Sequence, residues 1–446
     1  MFSSRTDFLF LIEQQFIFIR FEFETSIKKI YHNLNILTIF FYNIFMQKKI
    51  DITILCKVVD NFGDIGVVLR LSKALLEVQK QNSAIFPEIN IRIVSDNLKS
   101  FSLLEPKINE NLDVQSVLGF QVFNWENDAN LEYFQKNPPE VILECFQCGR
   151  PSWLETLLFD IKVQNIVQIV MIDYLSAEDY AETFHLLQSL TRSARVKKIN
   201  FMPGFTQKTG GLIFYNHEID FLEGVSLPLA PESPLTLPPL PGQSPRPQRD
   251  FSKFQTIFFS YPHDFSSIIK AFIKFNKKIG GNFLVNLAQG AGFLPFQNEY
   301  KKFSSSKDIF DLKTLDFLPQ EKWDELLKQM PLLFIRGEDS LSRACLCGVP
   351  FIWNAYPQSD NYQLVKVQAL LDRMRPQFPP ELFKKTEACW LTYNGDSGNL
   401  ESAVTNFLLS YAELRPCFED FSRSLLQNGD LAANLIEFMI KISFQP

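Results

Sequence analysis

Two short loops carry the residues best suited to chemistry. The first, Val58-Val59-Asp60-Asn61-Phe62-Gly63-Asp64-Ile65-Gly66, follows an apolar run that reads as a strand and precedes a helical pattern. Asp60 and Asp64 are two carboxylates four residues apart at the strand's carboxyl end, where α/β enzymes keep their catalytic groups. The glycines allow close backbone approach. The loop has, however, neither the Gly-x-Gly-x-x-Gly order of a dinucleotide fold nor the Gly-Lys-Ser/Thr ending of a P-loop. Two carboxylates repel a phosphate, so a working pair acts on an acceptor rather than on a phosphorylated donor. The plain alternative is structural, with Asp64 as a helix N-cap and Asp60 as a turn residue.

The second loop, Leu332-Leu333-Phe334-Ile335-Arg336-Gly337-Glu338-Asp339-Ser340, repeats the plan in the other half of the chain. An apolar strand ends, Gly337 makes the bend, and a helix begins near Asp339 or Ser340. The free N–H groups and dipole of such a helix start bind phosphate oxygens. Ser340 adds a hydroxyl and Arg336 a full positive charge. Glu338 and Asp339 suit sugar hydroxyls, which carboxylates accept strongly. The alternative here is a capped helix with a surface arginine.

Both loops need strands and helices to hold them. Runs with strand character are Ile52–Val59, Ile91–Ser95, Val141–Cys145, Ile166–Ile172 and Ile199–Met202. Val67–Val78 lies between the first two, with Val68, Leu71 and Leu75 at helical spacing. In 228–247, 8 of 20 residues are Pro, a stiff linker that no sheet or helix interior accepts. The alternation then resumes with strands at Thr256–Ser260, Phe283–Leu287, Leu332–Ile335 and Phe351–Trp353. Helices are expected at Phe265–Lys277, Glu321–Gln329, Asp339–Cys347 and Tyr362–Arg373. Strands alternating with helices predict two parallel-sheet α/β domains, with a ligand cleft between the carboxyl ends of their sheets.

Composition narrows the classes. The 446 residues hold 44 basic and 50 acidic side chains, a net charge of −6, which argues against nucleic acid as a ligand. Ten of the 45 Phe fall in the first 45 residues, leaving 35 in the other 401. That leader is no signal peptide: Asp7, Glu13, Arg20, Glu22 and Glu24 interrupt it and no small-residue cleavage site follows. Its longest uncharged run, Ile30–Gln47, holds His32, Asn33, Asn35, Asn43 and Gln47 and makes a poor membrane span. We therefore expect Met46 to be the true start and residues 1–45 to be upstream sequence. The seven Cys include Cys145-Phe-Gln-Cys148, with zinc or redox spacing, and Cys345-Leu-Cys347. With no His near either pair, structural reduced thiols in the cytoplasm are expected.

Three segments together resemble a known family. They are Asp60-Asn-Phe-Gly-Asp64-Ile-Gly, Pro203-Gly-Phe-Thr-x-x-Thr-Gly-Gly211-Leu, and Phe334-Ile-Arg-Gly-Glu338-Asp-Ser-Leu-x-Arg343-Ala. Gly348-Val-Pro-Phe-Ile-Trp353-Asn-Ala-Tyr-Pro-Gln358 continues the match. The chain resembles, over 47–440, the bacterial arginine rhamnosyltransferases that modify translation elongation factor P, the EarP family. The resemblance implies an α/β, GT-B fold of two Rossmann-like domains facing each other across a cleft. It implies an acceptor-side domain over 46–227, the linker over 228–250, and a nucleotide-sugar domain over 251–430. A C-terminal helix over 431–446 is expected to pack back on the N-terminal domain.

The implied reaction moves L-rhamnose from dTDP-β-L-rhamnose to one arginine of elongation factor P, with inversion. Its implied catalytic residues are Asp60, Asp64 as general base, and Glu338, which holds the donor near the reacting sugar. Arg336, Asp339 and Ser340 would surround the pyrophosphate together with Gly63, and Tyr356 would reach a donor phosphate. Phe317 and Gln320 resemble the segment that reads the thymine ring, with Tyr261 a weaker candidate. The Pro-rich linker and the long leader depart from the family pattern.

The residues suit that chemistry. A guanidinium is a poor nucleophile because its lone pairs are delocalised. One carboxylate can localise its charge away from the attacking nitrogen while the other removes a proton as the bond forms. Arg336 and the helix start could stabilise the leaving pyrophosphate in place of a metal. Asp60 and Asp64 do not form an Asp-x-Asp pair and His is scarce, so no metal or other cofactor is expected, nor any membrane association. The competing readings are a GT-B enzyme with another sugar or acceptor, a catalytically silent translation-factor-binding protein, and membrane-associated glycan synthesis.

Overall fold

The computed structural model describes residues 49–59, 62–160, 165–214, 254–395 and 397–443. Asp60, the leader over 1–45 with Met46, and the linker over 228–250 lie outside them. The N-terminal half builds an eight-stranded sheet in the order β3-β4-β2-β1-β5-β6-β8-β7. Its strands are β1 (Ile50–Cys56), β2 (Ile89–Ser95), β3 (Val114–Val117), β4 (Phe120–Asn124), β5 (Val141–Cys145), β6 (Val167–Ile172), β7 (Gln188–Ser189) and β8 (Val196–Phe201). All neighbours are parallel except the edge strands β3 and β7, which pair antiparallel with β4 and β8. The central strands are apolar on both faces, as a sheet covered by helices on both sides requires; β5 and β6 are buried throughout.

The second half builds a five-stranded parallel sheet in the order β11-β10-β9-β12-β13. Its strands are β9 (Phe254–Phe258), β10 (Phe283–Leu287), β11 (Asp311–Thr314), β12 (Leu332–Arg336) and β13 (Phe351–Asn354). Phenylalanine fills this core. Phe258 meets Phe296 and Phe334 at ring-centroid distances of 4.5 and 5.5 Å, and Phe272 meets Phe283 and Phe310 at 5.4 Å each. The helix Leu431–Ser443 leaves this half and buries Leu435, Ile436 and Met439 in the core of the first, beside Val68 and Ile199. The Leu431 N–H donates to Leu212 O at 2.8 Å, and the Phe438 ring lies 5.4 Å from Phe201.

In each sheet the strand order reverses at one point. It does so between β1 and β5 in the first sheet and between β9 and β12 in the second. Ligands of open α/β sheets bind at the carboxyl ends of strands at such points. The loop after β1, Tyr261 after β9 and the loop after β12 all lie there. Strands β3, β4, β7 and β11 have no counterpart among the sequence expectations. The β3–β4 hairpin turns on Leu118 and Gly119, both at positive φ (54° and 86°), and leucine is a poor signal for a turn that usually takes Asn or Asp. Strand β11 is a short, largely exposed edge, Asp-Leu-Lys-Thr, with no apolar run to mark it.

Candidate active site

Asp64 is the second residue of the helix Gly63–Gln81 and is buried. The N-cap is Phe62, which makes no side-chain cap, so Asp64 is not the capping residue. Its carboxylate reaches back out of the helix: Oδ2 accepts the Val59 N–H at 2.8 Å and Oδ1 accepts the Tyr174 hydroxyl at 3.3 Å. The Val58 N–H is held by Asp96 Oδ1 at 2.8 Å, so the loop is pinned on both sides of the acid. Gly63, half-buried, opens the helix.

Across the cleft, Gly337 makes the turn from β12 into the helix Glu338–Cys347 with φ of 74°, a left-handed conformation that suits glycine. Glu338 therefore starts the helix facing the N-terminal domain, and the Leu175 N–H of that domain donates to its carboxyl. Loss of water raises the Glu338 carboxyl to about 8, with Asp64 and Asp173 adding to the shift and Lys366 opposing it. Two acids of unlike environment thus face one another, a pattern typical of acid–base sites.

Arg336 is sandwiched between rings, its guanidinium carbon 4.3 Å from the Phe259 centroid and 4.5 Å from that of Tyr261. Its buried Nε has no hydrogen-bond partner among the described residues. The aromatic faces hold the cation at the carboxyl ends of β9 and β12 with donor capacity to spare. Tyr261 is buried, and Tyr356, 61% exposed, meets it edge-on at 5.3 Å. Ser340 is buried in the first turn of the helix, where its Oγ accepts the Trp323 indole N–H at 3.3 Å.

Two expected donor contacts, those of Asp339 and Gln320, are placed differently. Asp339 turns away from the cleft and takes a bidentate contact from Arg70, Nε to Oδ1 at 2.7 Å and Nη2 to Oδ2 at 2.8 Å. It is a domain-joining residue here, because its side chain leaves the helix start about 100° around from Glu338, toward Gly63–Gln81. Gln320 donates through Nε2 to Gly66 O at 2.7 Å and is buried in the same contact. Phe317 packs on Phe62 at 4.7 Å and remains 39% exposed. Arg70 also pairs with Asp324, so one buried arginine of the first domain holds two acids of the second.

Arg70→Met is expected to destabilise the closed arrangement by about 3 kcal/mol, because both carboxylates lose their buried partner. Small-angle scattering should show a larger radius of gyration. Hydrogen exchange should speed up at Phe62–Gly66 and Glu338–Leu341 while β1 and β12 stay protected. An unchanged radius and unchanged exchange would contradict this role for Arg70.

Sequence reasoning missed Arg70 and Tyr174. Arg70 has the look of a solvated helix charge, and Tyr174 carries no motif; only the fold gathers them. The segment after Tyr174 is held by the helix Tyr362–Met374 of the second domain. The Arg373 Nε donates to Ala177 O at 3.0 Å and the Tyr362 hydroxyl to Glu178 Oε1 at 2.7 Å. Cys56, Cys145 and Cys148 lie behind Asp64 as free thiols. Burial pushes Cys148 up to about 12 and raises the other two well above their ordinary value, which leaves them protonated and unreactive.

The comparison with known sequences decides the family. The sequence model described as Elongation-Factor P (EF-P) rhamnosyltransferase EarP matches residues 52–440. The chain belongs to the EarP family. Among curated EarP-type relatives, the protein-arginine rhamnosyltransferase of Shewanella oneidensis is 29% identical over 87% of this chain and 97% of its own length. That of Neisseria meningitidis serogroup B is 30% identical over 74% of this chain and 80% of its own length. A solved structure for EarP-mediated arginine glycosylation of translation elongation factor EF-P has a TM-score of 0.48 at 18% identity, covering 87% of this chain and 98% of that one. As an EarP-family member this chain is an enzyme, a glycosyltransferase of the protein-arginine rhamnosyltransferase type. Its two facing parallel-sheet domains are the GT-B architecture. Among the described residues no helix is long and apolar enough to cross a membrane.

Proposed function

We propose that this EarP-family chain transfers L-rhamnose from dTDP-β-L-rhamnose to one arginine side chain of translation elongation factor P, with inversion and without a metal. The observation that carries the proposal is the pairing of Asp64 and Glu338 on opposite walls of one cleft, beside an arginine held between two rings. Asp64 takes the proton that the guanidinium releases as its nitrogen attacks the anomeric carbon. The C–N bond forms as the bond to the pyrophosphate oxygen breaks, on the opposite face, so configuration inverts. Glu338, protonated at neutral pH, donates to the sugar. Arg336 and the N–H groups at the start of Glu338–Cys347 receive the charge that develops on dTDP. Phe317 is the exposed ring offered to the thymine. Tyr261 and Tyr356 frame the phosphates, while Gly63 lets the two loops approach.

Ser340→Ala is expected to weaken dTDP-rhamnose binding about tenfold and to lower kcat less, since one hydroxyl contact to the donor is lost. Isothermal titration alongside steady-state kinetics checks it; unchanged affinity would remove Ser340 from the donor site. The function itself is tested by incubating purified elongation factor P with the enzyme and dTDP-, UDP- or GDP-sugars, followed by intact and peptide mass spectrometry. One deoxyhexose on a single arginine, with dTDP-rhamnose alone, is the expected product. Transfer of a different sugar, or to a different residue type, would contradict the proposal.

A further inference from the structure

Tyr174 lies 110 residues from Asp64 in the chain, yet its hydroxyl donates to Asp64 Oδ1 at 3.3 Å. The other carboxylate oxygen is held by the Val59 N–H at 2.8 Å. The tyrosine follows β6 at the carboxyl end of the sheet, and its entry into the site is fixed from three directions. Its ring stacks on Phe146 with centroids 4.6 Å apart and planes inclined by 20°. Phe146 and Gln147 hold φ of 57° and 52°, a left-handed pair that non-glycine residues adopt only at an energetic cost and that gathers at functional sites. The Phe146 N–H donates to Ile172 O at 2.7 Å, and Asp173 accepts both the Tyr174 N–H at 2.8 Å and the Gln147 amide at 3.3 Å. Burial, Asp64 and Glu338 raise the phenol well above its ordinary value, so it stays a donor throughout the working pH range.

We propose that Tyr174 is a positioning residue for arginine transfer: its hydroxyl fixes the rotation of the Asp64 carboxylate so that a cleft-facing lone pair meets the guanidinium proton. The terminal torsion of an aspartate is broad, and each further contact to its oxygens narrows it. The Val59 N–H and the Tyr174 hydroxyl hold different oxygens, and proton transfer is sensitive to such alignment. The inference rests on Asp64 being the base of the proposed reaction.

Tyr174→Phe keeps the ring and its stack and removes only the hydroxyl. Measured in the native and Asp64→Asn backgrounds, it separates positioning from general stability. In the native background kcat should fall about 30-fold, with KM for dTDP-rhamnose changed by less than about twofold. In the Asp64→Asn background the same change should cost less than about twofold, because there is no base left to orient. An undiminished kcat in the single variant overturns the proposal. So does an equal loss in both backgrounds, which is what a merely structural tyrosine produces. Wild-type enzyme run alongside keeps the two claims apart. No transfer by wild type contradicts the proposed function, whereas active wild type with an unimpaired Tyr174→Phe contradicts only the role of Tyr174.

Discussion

Asp64→Asn is expected to lower kcat about a thousandfold while dTDP-rhamnose affinity stays within about twofold of wild type. The amide keeps the shape of the carboxylate and can still accept the Val59 N–H through its oxygen. It cannot take the proton that the attacking nitrogen must lose. Fold and donor site should therefore survive, because Asp64 stands on the first domain and Arg336, Ser340 and Tyr261 stand on the second. Single-turnover transfer and calorimetric titration of dTDP-rhamnose separate the two quantities. Donor affinity lost with turnover retained would place Asp64 at the donor and leave the reaction without its base.

Glu338→Gln should change stability with pH in a defined direction. The Glu338 carboxyl ionises near 8 in the folded protein against about 4.3 when unfolded. The folded state thus keeps a proton that the unfolded chain gives up between those values. The stability from this group is fully present below the unfolded value and is lost as pH rises through about 8. Glutamine is neutral in both states. The variant should match wild type near pH 4, gain steadily on it as pH rises, and level off above about 8 at an advantage on the order of 5 kcal/mol.

The same change bears on catalysis. If Glu338 donates from its protonated form, wild-type kcat/KM falls on the alkaline side of about 8 while Glu338→Gln, still a donor, loses that limb. Glu338→Ala, which can donate nothing, should lose about a hundredfold at neutral pH. Melting curves and rates over pH 4–9.5 test both parts. A stability difference independent of pH would show that Glu338 is not held protonated.

The two reacting loops were legible because each is an apolar strand, a glycine bend and a helix start carrying acids, and that local grammar survives folding. The central strands were legible for a similar reason: β5 and β10 are short, mostly buried runs, each apolar but for one residue, Glu144 or Asn286. The Leu118–Gly119 hairpin was not, since its turn uses leucine where the usual signal is Asn or Asp. Asp339 shows a different limit. Its neighbours in sequence suggest a ligand, but a helix turns successive side chains through about 100°, so Glu338 and Asp339 cannot face one way. Arg70 then claims the second acid from another domain. Tyr174 lay beyond sequence reading altogether, because its role is created by the pairing of β1, β5 and β6, which brings distant loop ends together.

The central claim is a single displacement at the anomeric carbon by an arginine nitrogen, assisted by Asp64. The anomeric configuration of the product tests it most directly. Proton and carbon NMR of elongation factor P modified by the wild-type enzyme from dTDP-β-L-rhamnose should show an α-linked rhamnose on one guanidino nitrogen. A β-linked product would mean retention through a second displacement or a different face of attack, and would contradict the arrangement of Asp64 and Glu338 proposed for this cleft.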